Sequence, residues 1–191
     1  MSTPANPTTP APRAKMFLTP GDDPRRGGPT KGDERTTLTE FLRVQRLTLE
    51  LKCQGLDAEQ LARRAAEPST LSLLGLVRHL AKVEQIWFRE RMAGQDVTRR
   101  YSTPEEPDGD FDGAVPDPEV VAEAWAAWRE EVAFAERYVA EAPSLDVICV
   151  DPRGGLEISL RTILVHMVEE YARHNGHADL LRERIDGRVG E

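Results

Sequence analysis

A glutamate and a histidine one helical turn apart, Glu170 and His174, interrupt the apolar stripe of a long C-terminal segment. Ile163, Met167, Tyr171, Ala178 and Leu181 recur there at the spacing that lines one face of a helix. A charge within such a face is costly unless it is paired or bound to a metal. Positions i and i+4 lie about 40° apart around a helix axis and one turn apart along it. A carboxylate oxygen and an imidazole nitrogen at that spacing can reach one ion from the same side. Helices carrying HExxH hold zinc this way, and here a carboxylate stands in for one histidine. The third donor must come from another element. His79 sits on the flank of a second amphipathic stripe, beside Leu76, Leu80 and Val83, and helix bundles assemble metal sites from facing helices. His79, Glu170 and His174 therefore predict a divalent-metal site with three protein ligands and one open position, the pattern of a catalytic zinc site. Two duller readings stay open at this point: a hydrogen-bonded core histidine at 79, and a surface salt bridge between Glu170 and His174.

Other polar side chains compete for roles nearby. His166 lies one turn before Glu170 and His177 three residues after His174, both at the polar edge of the stripe. They are open to a fourth ligation, an outer hydrogen bond, a substrate contact or plain solvation. Arg173, Asn175 and Arg182 could bind an anionic group at the bundle mouth, although helix-surface arginines usually do nothing special. Trp87, Trp125 and Trp128 read as core residues. Cys53 and Cys149, 96 residues apart, read as buried small hydrophobes rather than a disulfide or a nucleophile.

The elements that must position these residues are helices. The spacing predicts a first helix over about 37–54, with Leu38, Phe41, Leu42, Leu49 and Leu51 on its apolar side. A short helix over 57–66 opens with the capping box Asp57 to Gln60 and stops before Pro68. The second long helix begins after Ser69, Thr70 or Ser72, carries Leu73, Leu76, Leu80, Val83 and Trp87, and ends near Gly94. An acidic, turn-rich loop covers 95–116. The third long helix starts at Asp117 with Pro118 in its first turn and carries Val121, Trp125, Trp128, Val132, Ala135 and Val139. Val147–Val150 is a candidate extended segment and 151–155 a turn. The fourth long helix runs from about Ser159 to Ile185 and stops at Asp186-Gly187. Four long amphipathic helices with almost no strand signal describe an all-α four-helix bundle. Residues 1–33 are rich in proline and glycine, with Met16-Phe17-Leu18 as the one sticky spot, and read as a disordered or loosely packed arm before a metal-binding domain over 34–191.

Composition narrows the function classes. The net charge of −8 and arginines scattered among acids argue against a nucleic-acid partner. No signal peptide or long apolar run is evident, so the expectation is a reduced cytoplasm and no membrane. Arginine outnumbers lysine 21 to 4, the bias of a high-GC genome.

Two motif blocks in order, Leu73 to Phe88 around His79 and Leu160 to Arg182 around His166, Glu170, His174 and His177, resemble the DinB-like superfamily. The chain is most similar there to actinobacterial mycothiol S-transferase-like proteins, over roughly residues 34–184. The resemblance implies a four-helix bundle that binds a divalent metal, usually zinc or nickel, through three side chains. In many relatives these are all histidines; a glutamate at 170 matches the mycothiol-dependent maleylpyruvate isomerase branch and implies His79, Glu170 and His174 as ligands. The C-terminal domain of that isomerase has no counterpart in these residues, which argues against isomerisation itself. The function implied is a metal-dependent transferase that activates a low-molecular-weight thiol, mycothiol as co-substrate, for attack on a small electrophile. No catalytic residue beyond the metal ligands is indicated. A metal-dependent hydrolase or a non-catalytic metal- or ligand-binding protein are the alternatives, and two histidines with a carboxylate also suit iron. The family and the apolar helix faces suggest a homodimer.

Overall fold

A computed structural model of the chain describes residues 23–152 and 154–189. Its frame is α1 (Glu34–Cys53), α2 (Ala58–Ala62), α3 (Leu73–Glu84), α4 (Gly109–Asp112), α5 (Pro118–Glu141) and α6 (Leu160–Asp186), with β1 (Ile148–Val150) and β2 (Glu157–Ser159) between α5 and α6. The helices other than α4 start where a side-chain oxygen can serve the free backbone N–H groups of the first turn. Asp33 accepts from Thr36 N, Asp57 and Gln60 form the capping box, Ser72 accepts from Gly75 N, and Ser159 accepts from Thr162 N. Of the three starts that the sequence left open for α3, Ser72 is the one used. At the far end, α6 stops on Gly187, whose φ of +74° places it in the left-handed region and turns its N–H back to Glu183 O at 2.9 Å.

The four long helices close into an all-α bundle in which α1 packs on α6, α3 packs on α5, and α3 also meets α6. Their inward faces share one core that includes Leu42, Leu49, Leu76, Leu80, Phe88, Ala124, Ile163, Met167 and Leu181. One polar chain crosses this core and takes a residue from each long helix. Arg46 of α1 donates to both oxygens of Glu84 of α3 at 2.8 Å. The Tyr171 hydroxyl of α6 donates to Glu84 Oε1 at 2.9 Å, and the Trp128 indole of α5 donates to Tyr171 at 2.8 Å. Because every member is partnered, the buried charges are tolerated in a low-dielectric interior.

Several expectations change. The second long helix does not stay α-helical to its end: Gln85–Met92 is π-helical. An i→i+5 repeat advances the inward position by five residues rather than four, so Val83 is followed into the core by Phe88, and Trp87 is left only partly buried at the edge. Trp125 is likewise partly buried, whereas Trp128 is a core residue. Phe41 is 59% exposed, because α1 turns Leu42, Arg46 and Leu49 inward instead. The stretch 95–116 is not loop throughout, since it contains α4. β1 and β2 pair antiparallel, with Cys149 opposite Ile158, so the extended segment expected at 147–150 belongs to a hairpin. Cys53 and Cys149 are both buried free thiols, as read from the sequence, and burial pushes the Cys53 thiol up to about 12. Residues before α1 are held where they are described: Arg43 donates to the carbonyls of Pro24 and Arg25 at 3.3 Å. Met16-Phe17-Leu18 lies outside the described residues. No described helix is long and apolar enough to cross a membrane.

Candidate metal centre

Where α3 meets α6, the structure brings together His79, Glu170 and His174. Their ligand atoms all lie within 4.8 Å of one another. His79 Nε2 stands 3.3 Å from Glu170 Oε1, and His174 Nε2 stands 3.5 Å from the same oxygen. The two imidazole rings meet edge-on with centroids 4.7 Å apart. The three side chains are only 10–17% exposed, so the cluster is largely, but not wholly, shielded from water.

What aims His79 is α4. The His79 Nδ1–H donates to Asp110 Oδ2 at 2.8 Å, since a carboxylate can only accept; Nε2 is thereby turned to Glu170 Oε1 at 3.3 Å, where a proton on it is donated to that carboxylate and loss of the proton frees a lone pair for a cation. Lys82 Nζ, one turn after His79 on α3, pairs with the same Asp110 oxygen at 2.5 Å. Arg78 fixes the backbone beneath, donating to the carbonyls of Asp110 and Gly109 at 3.0 Å. Phe111 stacks on the His79 ring at 5.1 Å. This approach needs a glycine on α3: a Cβ at Gly75 would stand 2.9 Å from Phe111 Cδ1. On the other side, His174 Nδ1 lies 3.3 Å from His177 Nδ1.

The electrostatics follow from this packing. Burial disfavours a charged His79 ring, but the hydrogen bonds to Asp110 and Glu170 outweigh it and raise its pKa above the usual imidazole value. Hydrogen bonds from His174 and His79 hold the Glu170 carboxyl well below the usual carboxylate range, against its burial. Burial would raise Asp110, yet His79 and Lys82 pull it below its ordinary value. Burial lowers His177, helped by the neighbouring His174 and Arg173. The centre thus attracts positive charge from either a proton or a cation.

The donor set fits a divalent ion. Donors about 2.0–2.2 Å from a tetrahedral ion stand about 3.3–3.6 Å apart, which matches the separations of 3.3 and 3.5 Å to Glu170 Oε1. The outer nitrogen of His79 is tied to a carboxylate, the arrangement that normally orients a metal-bound imidazole. Three donors leave a position for an exogenous group.

The other residues singled out from the sequence go elsewhere. His166 lies outside the cluster and packs edge-on against Trp87 at 4.9 Å. Arg173 is exposed, 4.0 Å from Glu170 Oε2. Asn175 and Arg182 do not reach the bundle mouth: Asn175 donates to the backbone and side chain of Gln45, and Arg182 is buried against the carbonyls of Lys52 and Gln54, closing the C-terminal end of α1. Their anion-binding role is replaced by helix docking. Asp110, Lys82 and Phe111 escaped the sequence reading. The one available signal was Phe111, an aromatic alone among acids, which marks where such a loop anchors.

A family model described as mycothiol-S-transferase matches residues 37–187. No curated protein matches the chain. Among solved structures, a conserved protein from Enterococcus faecalis superposes with a TM-score of 0.55 over 80% of this chain and 96% of its own, at 17% identity. At that identity the likeness is one of fold.

Proposed function

Because the chain belongs to the mycothiol-S-transferase family of DinB-like helix bundles, we propose that it transfers a low-molecular-weight thiol, mycothiol, to a small electrophile. In that reaction a sulfur–carbon bond forms, the thiol proton is released, and a leaving group departs with its bonding pair. With an epoxide or an activated double bond, the proton ends on the product instead. His79, Glu170 and His174 are the proposed ligands of a divalent ion, zinc in the first instance. Such an ion supplies a Lewis acid that favours thiolate over thiol near neutral pH.

The observation that carries the reading is the convergence of two imidazole Nε2 atoms on one glutamate oxygen, with the outer nitrogen of His79 tied to Asp110. Glu170 offsets part of the cation's charge, which leaves the centre a net attraction for an anionic sulfur. Asp110 and Lys82 hold His79 in one tautomer, so its donor atom needs no rearrangement when the site is used. Phe111 and the wall of α3 limit water on one side. We assign the activity to residues 34–191, with 1–33 as an arm. The cytoplasm and a homodimer are the proposed setting.

The test is a sulfur-transfer assay. Metal-loaded protein is incubated with mycothiol, bacillithiol or glutathione and a panel of epoxides, alkyl halides and activated alkenes, and conjugates are read by mass spectrometry. Thioether formation with mycothiol is expected; no conjugate with any thiol would refute the proposal. Two histidines and a glutamate also make up zinc hydrolase sites, and turnover that proceeds without thiol would assign the centre to that chemistry instead.

A further inference from the structure

A separate cavity lies one turn along α6 from the cluster, on the hairpin side. His166 precedes Glu170 by four residues on α6, so it stands on the same flank about 6 Å further along the axis. There it meets Trp87, which lies eight residues beyond His79 and which the π-helical stretch keeps out of the core. Their rings contact edge-on at 4.9 Å and 66°. Together with Leu156 and Ile158 of the hairpin and Val165 of α6, they line a cavity of about 350 Å³. Leu156 and Val165 are 66% and 42% exposed, apolar surface that faces solvent around an aromatic pair. Glu157 and Glu169 also line the cavity, and none of the described residues lining it is lysine or arginine.

We propose that this cavity is the subsite for the electrophile, and that it takes uncharged, flat apolar groups and rejects carboxylates. The inference rests on the transferase reading for its place in a reaction, but not for the binding itself. A volume of this size suits a small ligand. The Trp87 face offers a stacking surface, and the aliphatic walls supply area to bury. An anion there would give up hydration with no lysine or arginine among the described lining residues to receive it and two carboxylates nearby to repel it. His166 on the cavity wall is one helical turn, about 6 Å, from Glu170, a span that a ligand seated on Trp87 covers with a short arm that carries its reactive atom.

The experiment compares two bicyclic probes of the same shape, 2-naphthol and 2-naphthoate, which are respectively neutral and anionic at pH 7. Each is titrated into the full-length protein freed of metal by chelation, so that the carboxylate cannot bind an ion. The readout is the indole N–H resonance of Trp87, assigned with Trp87→Phe. We expect 2-naphthol to shift that resonance saturably and to bind at least about tenfold more tightly than 2-naphthoate. Val165→Lys, at a half-exposed wall position that the fold tolerates, should narrow or reverse the preference by giving the anion a partner. An unmoved Trp87 resonance with 2-naphthol, equal affinity for the two probes, or an unchanged preference in Val165→Lys overturns the proposal. Probe binding without any thiol transfer would sink the transferase reading alone; thiol transfer with no probe at Trp87 would sink the subsite alone.

Discussion

Replacing Glu170 with glutamine separates a metal ligand from a surface ion-pair partner with almost no change in shape. The oxygen at stake, Oε1, lies 3.3 Å from His79 Nε2 and 3.5 Å from His174 Nε2, so it sits between the two imidazoles. If the contacts were only an exposed salt bridge, the substitution would cost no more than about 1 kcal/mol of stability and leave metal content unchanged. If Glu170 is one of three donors, glutamine removes the only negative charge among them and offers a weakly donating amide. Loss of a mere outer-shell partner costs about 10–100-fold in affinity, so loss of a donor should exceed 100-fold, or about 2.7 kcal/mol at 1.36 kcal/mol per decade. The assay is zinc competition against a chromophoric chelator, with metal content after dialysis as a second reading. Glu183→Gln, exposed near the end of the same helix, is the control and should bind as the parent does. Glu170→His restores an imidazole donor at the same position and should keep binding within reach of the parent. Full zinc occupancy in Glu170→Gln, indistinguishable from Glu183→Gln, would refute the site.

Further outcomes follow from the same contacts. Asp110→Asn keeps one acceptor for His79 Nδ1–H but loses the charge, and should weaken zinc about tenfold, while Asp110→Ala should approach 100-fold; chelator competition ranks the two. The pH dependence should change sign with metal loading. In metal-free protein the His79 pKa is raised, so its contribution is fully present below about 6.5 and is lost as pH climbs through the higher folded value. Glu170 and Asp110 act oppositely, since their depressed values stabilise above the ordinary carboxylate range and that contribution fades only as the solution becomes strongly acidic. Zinc must displace protons from both histidines, so its stabilisation grows over the pH interval in which the metal-free protein weakens; melting temperatures with and without zinc from pH 5.5 to 8 should diverge, and parallel curves would contradict histidine ligation. In the core, Glu84→Leu leaves the buried Arg46 guanidinium with only the more exposed Glu136 at 3.5 Å and takes the acceptor from Tyr171, and should cost about 3 kcal/mol by urea unfolding. Adding Arg46→Met should recover much of that loss, and two independent, additive penalties would show that the pair is not coupled.

The amino-acid sequence by itself determined what a local period can carry. The pairing of Glu170 with His174 is a consequence of helix geometry, and both lie on one 27-residue helix whose start at Ser159 and stop at Gly187 are written in capping residues. The stripe around His79 and the four long helices are legible for the same reason. The tertiary structure decided everything that depends on residues distant in the chain or on which backbone repeat wins. Asp110 reaches His79 across 31 positions, from a stretch whose acids look like a solvated loop. Arg46 and Glu84 carry no local signal of pairing until four helices close around them and set the guanidinium against the carboxylate, with Tyr171 as a further donor to Glu84. Asn175 and Arg182 look available for a ligand until α1 arrives to claim them. The π-helical stretch leaves no mark in the hydrophobic pattern, because packing selects between i→i+4 and i→i+5 bonding. Periodicity names a face, whereas burial and hydrogen bonding depend on what that face meets.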